Sequence, residues 1–155
     1  MPTHLFSVTI LCGLFAAGCG PGRGGPATVP VDDLVGTTWQ LVEFRSSDDR
    51  IGIVTPADAS AYTMALEPDS RVTLRLNCNR GSGTWTATPG GDASGSFEFG
   101  PVAMTKVFCP PPSLDTQIAR DAEYVRSYVL RDGRLYLSLM ADVGIYEWKA
   151  TRDSR

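Results

Sequence analysis

Residues 71–88, RVTLRLNCNRGSGTWTAT, contain the pattern that decides the fold class. In the first six residues three apolar side chains alternate with three polar ones: Val72, Leu74 and Leu76 with Arg71, Thr73 and Arg75. This alternation predicts an antiparallel strand with one buried face. Residues 77–81 combine asparagine and glycine and predict a turn. Residues 83–88 then predict the returning strand, so the stretch is a hairpin with an apolar side.

Six further segments have the composition of strands and extend this hairpin into an antiparallel sheet. They are residues 36–45, 62–67, 95–99, 128–131, 134–140 and 144–149. Asp132 and Gly133 separate two alternating apolar runs, which predicts a tight hairpin there. Residues 46–60 and 89–92 are polar or rich in glycine and proline, and they predict loops.

One helix is predicted, over residues 114–126, after three prolines that block a strand. Ser113 is the expected N-cap. Apolar residues recur at helical spacing and form one stripe: Leu114, Ile118, Ala122 and Val125. The polar residues Arg120, Asp121 and Arg126 are expected on the exposed side. About eight short strands and one helix predict a mainly β (α+β) fold, a small antiparallel barrel-like curved sheet with the helix packed across it.

The first 33 residues predict export and anchoring. Residues 5–17 carry no charge, are too few for a membrane span of roughly 20 residues, and predict a signal peptide over residues 1–18. Small residues precede Cys19, which is therefore the expected lipidation site of a bacterial lipoprotein; cleavage without lipidation is the alternative. Seven of residues 20–33 are glycine or proline, so residues 19–33 predict a flexible tether and residues 34–151 the folded domain.

These features predict a protein of the cell envelope that faces the periplasm. The expected partners are the membrane, through the N-terminal lipid, and an envelope protein. Gly20 rather than aspartate after Cys19 favours the outer over the inner membrane. We expect the domain to be a monomer.

Two cysteines, Cys78 and Cys109, remain once the signal is removed and Cys19 is lipidated. In an oxidising compartment such a pair is expected to form a disulfide. A redox-active pair is the alternative, but reactive pairs are usually close in sequence and these residues are 31 positions apart. A two-cysteine metal site would lack its other ligands, so no metal is predicted.

Composition excludes several kinds of chemistry. The one histidine, His4, lies in the predicted signal peptide. Its loss would exclude Ser-His-Asp and Cys-His nucleophile systems and histidine-ligated metals. The net charge is −3 and there are only two lysines, Lys106 and Lys149, without a basic cluster, which disfavours nucleic acid as a partner. We therefore predict no catalytic residue and no cofactor.

The chain resembles the META domain family, which includes the heat-shock protein HslJ. The matching segments are residues 36–41 (GTTWQL), 77–83 (NCNRGSG), 104–105 (MT), 109–110 (CP), 123–124 (EY), 135–137 (LYL) and 144–146 (GIY). Within them Asn77, Asn79, Gly81, Met104 and Thr105 form the family signature. The resemblance implies a small β-rich domain with a helix, often carried by envelope lipoproteins. It also implies links to heat-shock and antibiotic-resistance phenotypes, with no established catalytic residues.

Three functional hypotheses follow. The first is a non-enzymatic META-type envelope lipoprotein that binds a partner and supports tolerance of envelope stress or antibiotics. The second is a lipocalin-like carrier of an apolar ligand, with a pocket lined by Trp39, Trp85 and Trp148, although such residues more often fill a core. The third, least favoured, is a hydrolase that uses carboxylates or a serine. Asn77 and Asn79 are interpreted as turn formers, with hydrogen bonding to a ligand as the alternative.

Overall fold

The computed structural model describes residues 33–91 and 93–151. The predicted signal peptide, Cys19 and all but the last residue of the predicted tether lie outside the described residues. Among the residues that are described, no helix is long and apolar enough to cross a membrane.

A nine-stranded antiparallel sheet closes on itself into a barrel. Its elements are β1 (Thr37–Ser46), β2 (Ile53–Val54), β3 (Tyr62–Leu66), β4 (Arg71–Leu76), β5 (Asn79–Gly91), β6 (Ser94–Met104), α1 (Asp115–Asp121), β7 (Val125–Arg131), β8 (Arg134–Leu139) and β9 (Gly144–Ala150). The strands follow the order β2-β1-β3-β4-β5-β6-β7-β8-β9, and β1 also pairs with β9. Eight strands therefore form the barrel and β2 is an additional edge strand, which confirms the predicted mainly β architecture with one helix.

The inward faces of the strands form one apolar core. On β4, Val72 and Leu76 are fully buried, and the polar side chains that alternate with the apolar ones are exposed, as predicted. Trp39, Trp85 and Trp148 are 2 %, 4 % and 2 % exposed, so all three are core residues. The Trp85 ring stacks on Phe97 with centroids 5.7 Å apart.

Within the described residues, little space remains between α1 and the sheet. The cavity between α1 and the sheet has a volume of about 20 Å³ and is lined by apolar residues that include Met64, Ile118 and Trp148. Roughly one water molecule needs such a volume, whereas pockets for drug-sized ligands measure about 300–1,000 Å³. The filled interior therefore argues against the carrier hypothesis.

The helix is shorter than predicted. It ends at Asp121, a 3-10 turn follows over Ala122–Tyr124, and Val125 already begins β7. The residue before the helix is Leu114 rather than Ser113. The chain leaves the helix early because Val125 pairs with Leu139 in the sheet, and this tertiary pairing overrides the helical spacing of the apolar stripe.

The buried face of the helix agrees with the prediction at three positions and differs at one polar residue. Ile118 is buried within the helix, and Ala122 and Val125 are buried just beyond its end, in the 3-10 turn and in β7; Leu114 is half-buried. Asp121, predicted to be exposed, is only 6 % exposed, because the Tyr146 hydroxyl donates a hydrogen bond of 2.7 Å to its carboxylate.

Strand boundaries differ from the prediction where a neighbouring strand extends them. The predicted turn over residues 77–81 ends earlier, because β5 begins at Asn79 and pairs with β4. Residues 89–91, predicted as a loop, belong to β5, and β6 continues to Met104. Residues 53–54, inside the predicted loop 46–60, form β2 against β1. Backbone pairing requires no apolar alternation, so these extensions leave no pattern in the sequence.

The strand register defines two ends of the barrel. Thr37 lies opposite Leu66, and the Gly36 N–H donates to the Leu66 carbonyl, so the chain enters the barrel at this end. Leu76 lies opposite Tyr62 at the other end, where the β4–β5 turn and α1 are found. We call this second end, which contains Cys78 and Cys109, the disulfide end.

Candidate functional site

Cys78 and Cys109 form a disulfide with an S–S distance of 2.01 Å and a Cα–Cα distance of 5.7 Å. The predicted pairing is confirmed. Cys78 lies in the β4–β5 turn, and Cys109 lies in residues 105–114, which connect β6 to α1. The bond therefore fastens this connection to the barrel, and we call residues 105–114 the anchored loop.

A buried asparagine holds the first half of the anchored loop. Asn79 is 2 % exposed, and its carbonyl oxygen accepts from the Val107 N–H at 2.8 Å and the Thr105 hydroxyl at 2.9 Å. Its amide nitrogen donates to the Val107 carbonyl and to Asp115 Oδ2, both at 2.9 Å. Both amide hydrogens are thereby used. Asn79 thus pairs with the loop backbone as a neighbouring strand would.

Ser113 holds the second half of the loop. Its hydroxyl donates to Asp115 Oδ1 at 2.6 Å and accepts from Asn77 Nδ2 at 3.0 Å. The Tyr62 hydroxyl lies 3.2 Å from the same oxygen and accepts from the Leu114 N–H at 3.0 Å. Since the Ser113 hydrogen is directed to Asp115, Tyr62 is the donor to Ser113. The loop is therefore tied to β3 and to the β4–β5 turn before the helix begins.

Asp115 connects these two groups of hydrogen bonds. Burial by itself raises the pKa of this carboxyl, but hydrogen bonds from Ser113 and Asn79, followed by backbone N–H groups, outweigh it. The pKa of Asp115 therefore lies below its ordinary value. The carboxylate is ionised at neutral pH and acts as the acceptor that joins the loop to α1.

We expect Asp115→Asn to lower the free energy of unfolding at pH 7 by roughly 1–2 kcal/mol, since it removes charge-assisted hydrogen bonds. A carboxyl whose pKa is depressed in the fold contributes stability above its unfolded pKa of about 4 and loses it as the pH falls through the folded value. The difference between the two proteins should therefore disappear in acid. Urea unfolding at several pH values measures this, and a constant difference at every pH would contradict it.

The residues of the predicted family signature meet at the disulfide end. Asn77 has a φ of +57°, the left-handed conformation expected of a turn asparagine. Gly81 is buried, and a Cβ added there would lie 2.9 Å from the Met104 side chain, so only glycine fits without displacement. The Thr105 hydroxyl accepts from the Arg80 N–H at 2.9 Å. All of these contacts join β5, β6 and the anchored loop to one another, and the Asn79 amide is directed inward rather than towards a ligand.

The tip of the anchored loop is apolar and faces solvent. Phe108 is 83 % exposed and Val107 is 59 % exposed, although the Val107 backbone is fully bonded to Asn79. Lys106 precedes them and is also exposed. Sequence reasoning did not predict that this tip is exposed. The available signal was an aromatic residue next to a paired cysteine in a proline-rich segment that is neither strand nor helix.

The second buried carboxylate, Asp121, belongs to a contact between α1 and β9. It accepts from the Tyr146 hydroxyl at 2.7 Å and from Arg120 Nε at 3.0 Å. Gln117 Nε2 donates to the Tyr146 oxygen at 3.1 Å. Burial, and then the bond to Asp121, raise the pKa of Tyr146 far above its ordinary value. The tyrosine is a permanent donor that fastens the helix to the barrel.

Acidic residues do not converge on a metal site in the part of the chain that is described. Residues 33–91 and 93–151 contain no group of three or more histidine, cysteine, aspartate or glutamate side chains placed to hold an ion. Cys78 and Cys109 are committed to each other.

The fold and the site together place this protein in the class of small closed β-barrel domains. A helix and the disulfide-anchored loop lie at one end of its barrel. The chain belongs to the META domain family, whose model matches residues 32–148. No curated protein is significantly similar to it in sequence.

Two solved structures share the fold. One is the NMR structure of a protein from Burkholderia xenovorans, with 18 % identity, a TM-score of 0.64, and coverage of 93 % of this chain and 100 % of that one. The other is the crystal structure of a DUF4847 family protein from Bacteroides vulgatus, with 14 % identity, a TM-score of 0.54, and coverage of 80 % and 99 %. At these identities the likeness concerns the fold alone.

Proposed function

We propose that this protein is a non-enzymatic envelope lipoprotein, anchored through Cys19, that binds a partner at its disulfide end and supports tolerance of envelope stress or antibiotics. The observation that carries the proposal is the anchored loop, which presents Phe108 to solvent at 83 % exposure. Val107 beside it is also exposed, so the tip is a contiguous apolar surface rather than a single exposed side chain, and contiguous apolar surface marks interaction sites.

The polar groups of the disulfide end support binding rather than catalysis. Asp115 and Asp121 are buried and hydrogen-bonded to residues that fix the loop and the helix. Neither carboxylate faces a solvated cleft where it could exchange a proton with a substrate, as general acid–base catalysis requires. The disulfide end offers a partner a defined shape and a preorganised loop. Preorganisation lowers the entropy cost of association.

The membrane anchor is tested in the organism itself. In a strain that lacks this protein, we expect the wild-type gene to restore survival under antibiotic or heat stress, and Cys19→Ala not to restore it. Cys12→Ala is the matched control, because this cysteine lies in the predicted signal peptide and its loss should leave complementation intact. Intact-mass analysis of the membrane-extracted protein should show an acylated Cys19.

Two results would count against the proposal. One is a deletion strain with unchanged tolerance of every envelope stress and antibiotic tried. The other is hydrolysis of ester, peptide or glycoside substrates by the purified protein that is abolished by replacing a single aspartate, glutamate or serine.

A further inference from the structure

We infer that the disulfide end binds an acidic protein, whose apolar pocket takes Phe108 and whose carboxylates pair with Arg80 and Lys106. This inference deepens the proposed function by assigning the chemistry of the partner.

Phe108 is held in place from both sides. The Val107 N–H and carbonyl both bond to the Asn79 side chain, at 2.8 and 2.9 Å. Cys109, on the other side, is bonded to Cys78. The backbone of Phe108 is therefore fixed while its ring is exposed, which leaves little freedom to lose on binding. Fixed aromatic side chains that enter a partner's pocket are typical energetic centres of protein interfaces.

Basic side chains border this tip. Arg80 and Lys106 are exposed, and within residues 33–91 and 93–151 no carboxylate lies within 4.0 Å of their charged nitrogens. Arg75 lies directly opposite Arg80 in the β4–β5 register, a like-charge pair that costs stability; Asp58, near Arg75, partly offsets its charge. The whole chain carries a net charge of −3. The positive charge is therefore local, and an acidic partner complements it.

A shallow depression lies on the same side of the barrel. Its volume is about 430 Å³, and it is lined by Arg80, Gly81, Ser82, Ala103, Met104 and Thr105. Gly81 contributes no side chain, and Thr105 leads directly into Lys106 and the loop tip. The surface therefore has a projecting aromatic ring and an adjacent hollow, a shape that a folded polypeptide can match.

The position of the chain entry favours a protein over the membrane that holds the anchor. The chain enters the barrel beside Leu66, and Thr37 lies opposite this residue, at the end remote from Cys78. A tether that leads to a lipid at Cys19 therefore leaves from the far end of the barrel. The disulfide end therefore lies opposite the point where the tether attaches, which leaves it accessible to proteins of the same compartment.

Site-specific photocrosslinking of the full-length protein in intact cells tests the inference. The probe is p-benzoylphenylalanine at position 108, with the same probe at position 88 as a control, because Thr88 is exposed on β5 near the opposite end. We expect one discrete adduct with another polypeptide from position 108 and not from position 88. Mapping of the adduct should place the crosslink in an apolar pocket bordered by aspartate or glutamate.

Charge reversal then tests the basic border. Arg80→Glu with Lys106→Glu should reduce the adduct by about tenfold or more. Arg131→Glu with Lys149→Glu, an equal change of charge near the opposite end, should leave the amount of adduct unchanged.

Phe108→Ser should abolish complementation of the deletion strain with little change in melting temperature, because the ring is almost fully exposed.

Several outcomes would overturn the inference: an adduct with lipid, an adduct with a second copy of this chain, the same adduct from both probe positions, no adduct, or an adduct that withstands the Arg80 and Lys106 reversal. In each case complementation by the unlabelled wild-type gene still shows whether the proposed envelope function holds, so the two failures are distinguishable.

Discussion

Asn79→Ala should lower the free energy of unfolding by roughly 3–5 kcal/mol, the largest effect we expect from one side chain at the disulfide end. Asn79 is buried, and its loss leaves the Val107 N–H, the Val107 carbonyl and one oxygen of the Asp115 carboxylate without their partner. The Asp115 carboxylate is buried, and a buried charged group that loses its partner costs about 1–3 kcal/mol or more. The two Val107 backbone groups are only part-buried, and each adds a smaller cost. Urea unfolding followed by tryptophan fluorescence measures the change through the transition midpoint.

Two further variants separate the hydrogen bonds from the general effect of a substitution. Asn77→Gly removes an asparagine side chain at a nearby position. It loses one hydrogen bond to Ser113, but glycine adopts the left-handed backbone conformation of position 77 without strain. It should cost less than about 1 kcal/mol. Asn79→Asp keeps the acceptor oxygen but faces Asp115 with a second carboxylate, so it should be at least as harmful as alanine at neutral pH. A loss below about 1 kcal/mol for Asn79→Ala would show that the loop does not depend on this residue.

Reduction of the disulfide should lower the free energy of unfolding by roughly 3–4 kcal/mol in the chain-entropy model. The bond joins positions 31 residues apart, and without it the unfolded chain gains the freedom of that loop. The melting temperature should fall by roughly 10 °C or more. Scanning calorimetry with and without reductant, beside the double variant Cys78→Ser with Cys109→Ser, measures the effect; the variant should be insensitive to reductant.

The disulfide and Asn79 should also be coupled. Both fix the same loop, so the destabilisation by Asn79→Ala should be smaller in the protein without the disulfide than in the oxidised protein. Strictly additive costs would show that the loop is fixed at two independent points. An oxidised protein that melts at the same temperature as the reduced one would contradict the stabilising role of the bond.

Features that depend on short-range pattern or on composition could be predicted before the fold was known. The alternation in residues 71–76 specified β4 and its buried face, because a side-chain period of two allows only one apolar side. Asp132 and Gly133 specified the β7–β8 hairpin. The pairing of Cys78 with Cys109 followed from the expected compartment and from the number of cysteines that remain.

Features that depend on partners distant in sequence arise only in the folded chain. The helix stops at Asp121 because Val125 pairs with Leu139, and Asp121 is buried because Tyr146 reaches it from β9. Asn79 was assigned to a turn, yet it bonds to a backbone 28 residues away. No local pattern encodes such contacts, because a polar side chain carries the same donors and acceptors whether it lies in a turn, in the core or in a binding site. For the same reason the exposure of Phe108 could not be read from its type, because an aromatic residue is expected in the core until the folded chain shows that the core is already full.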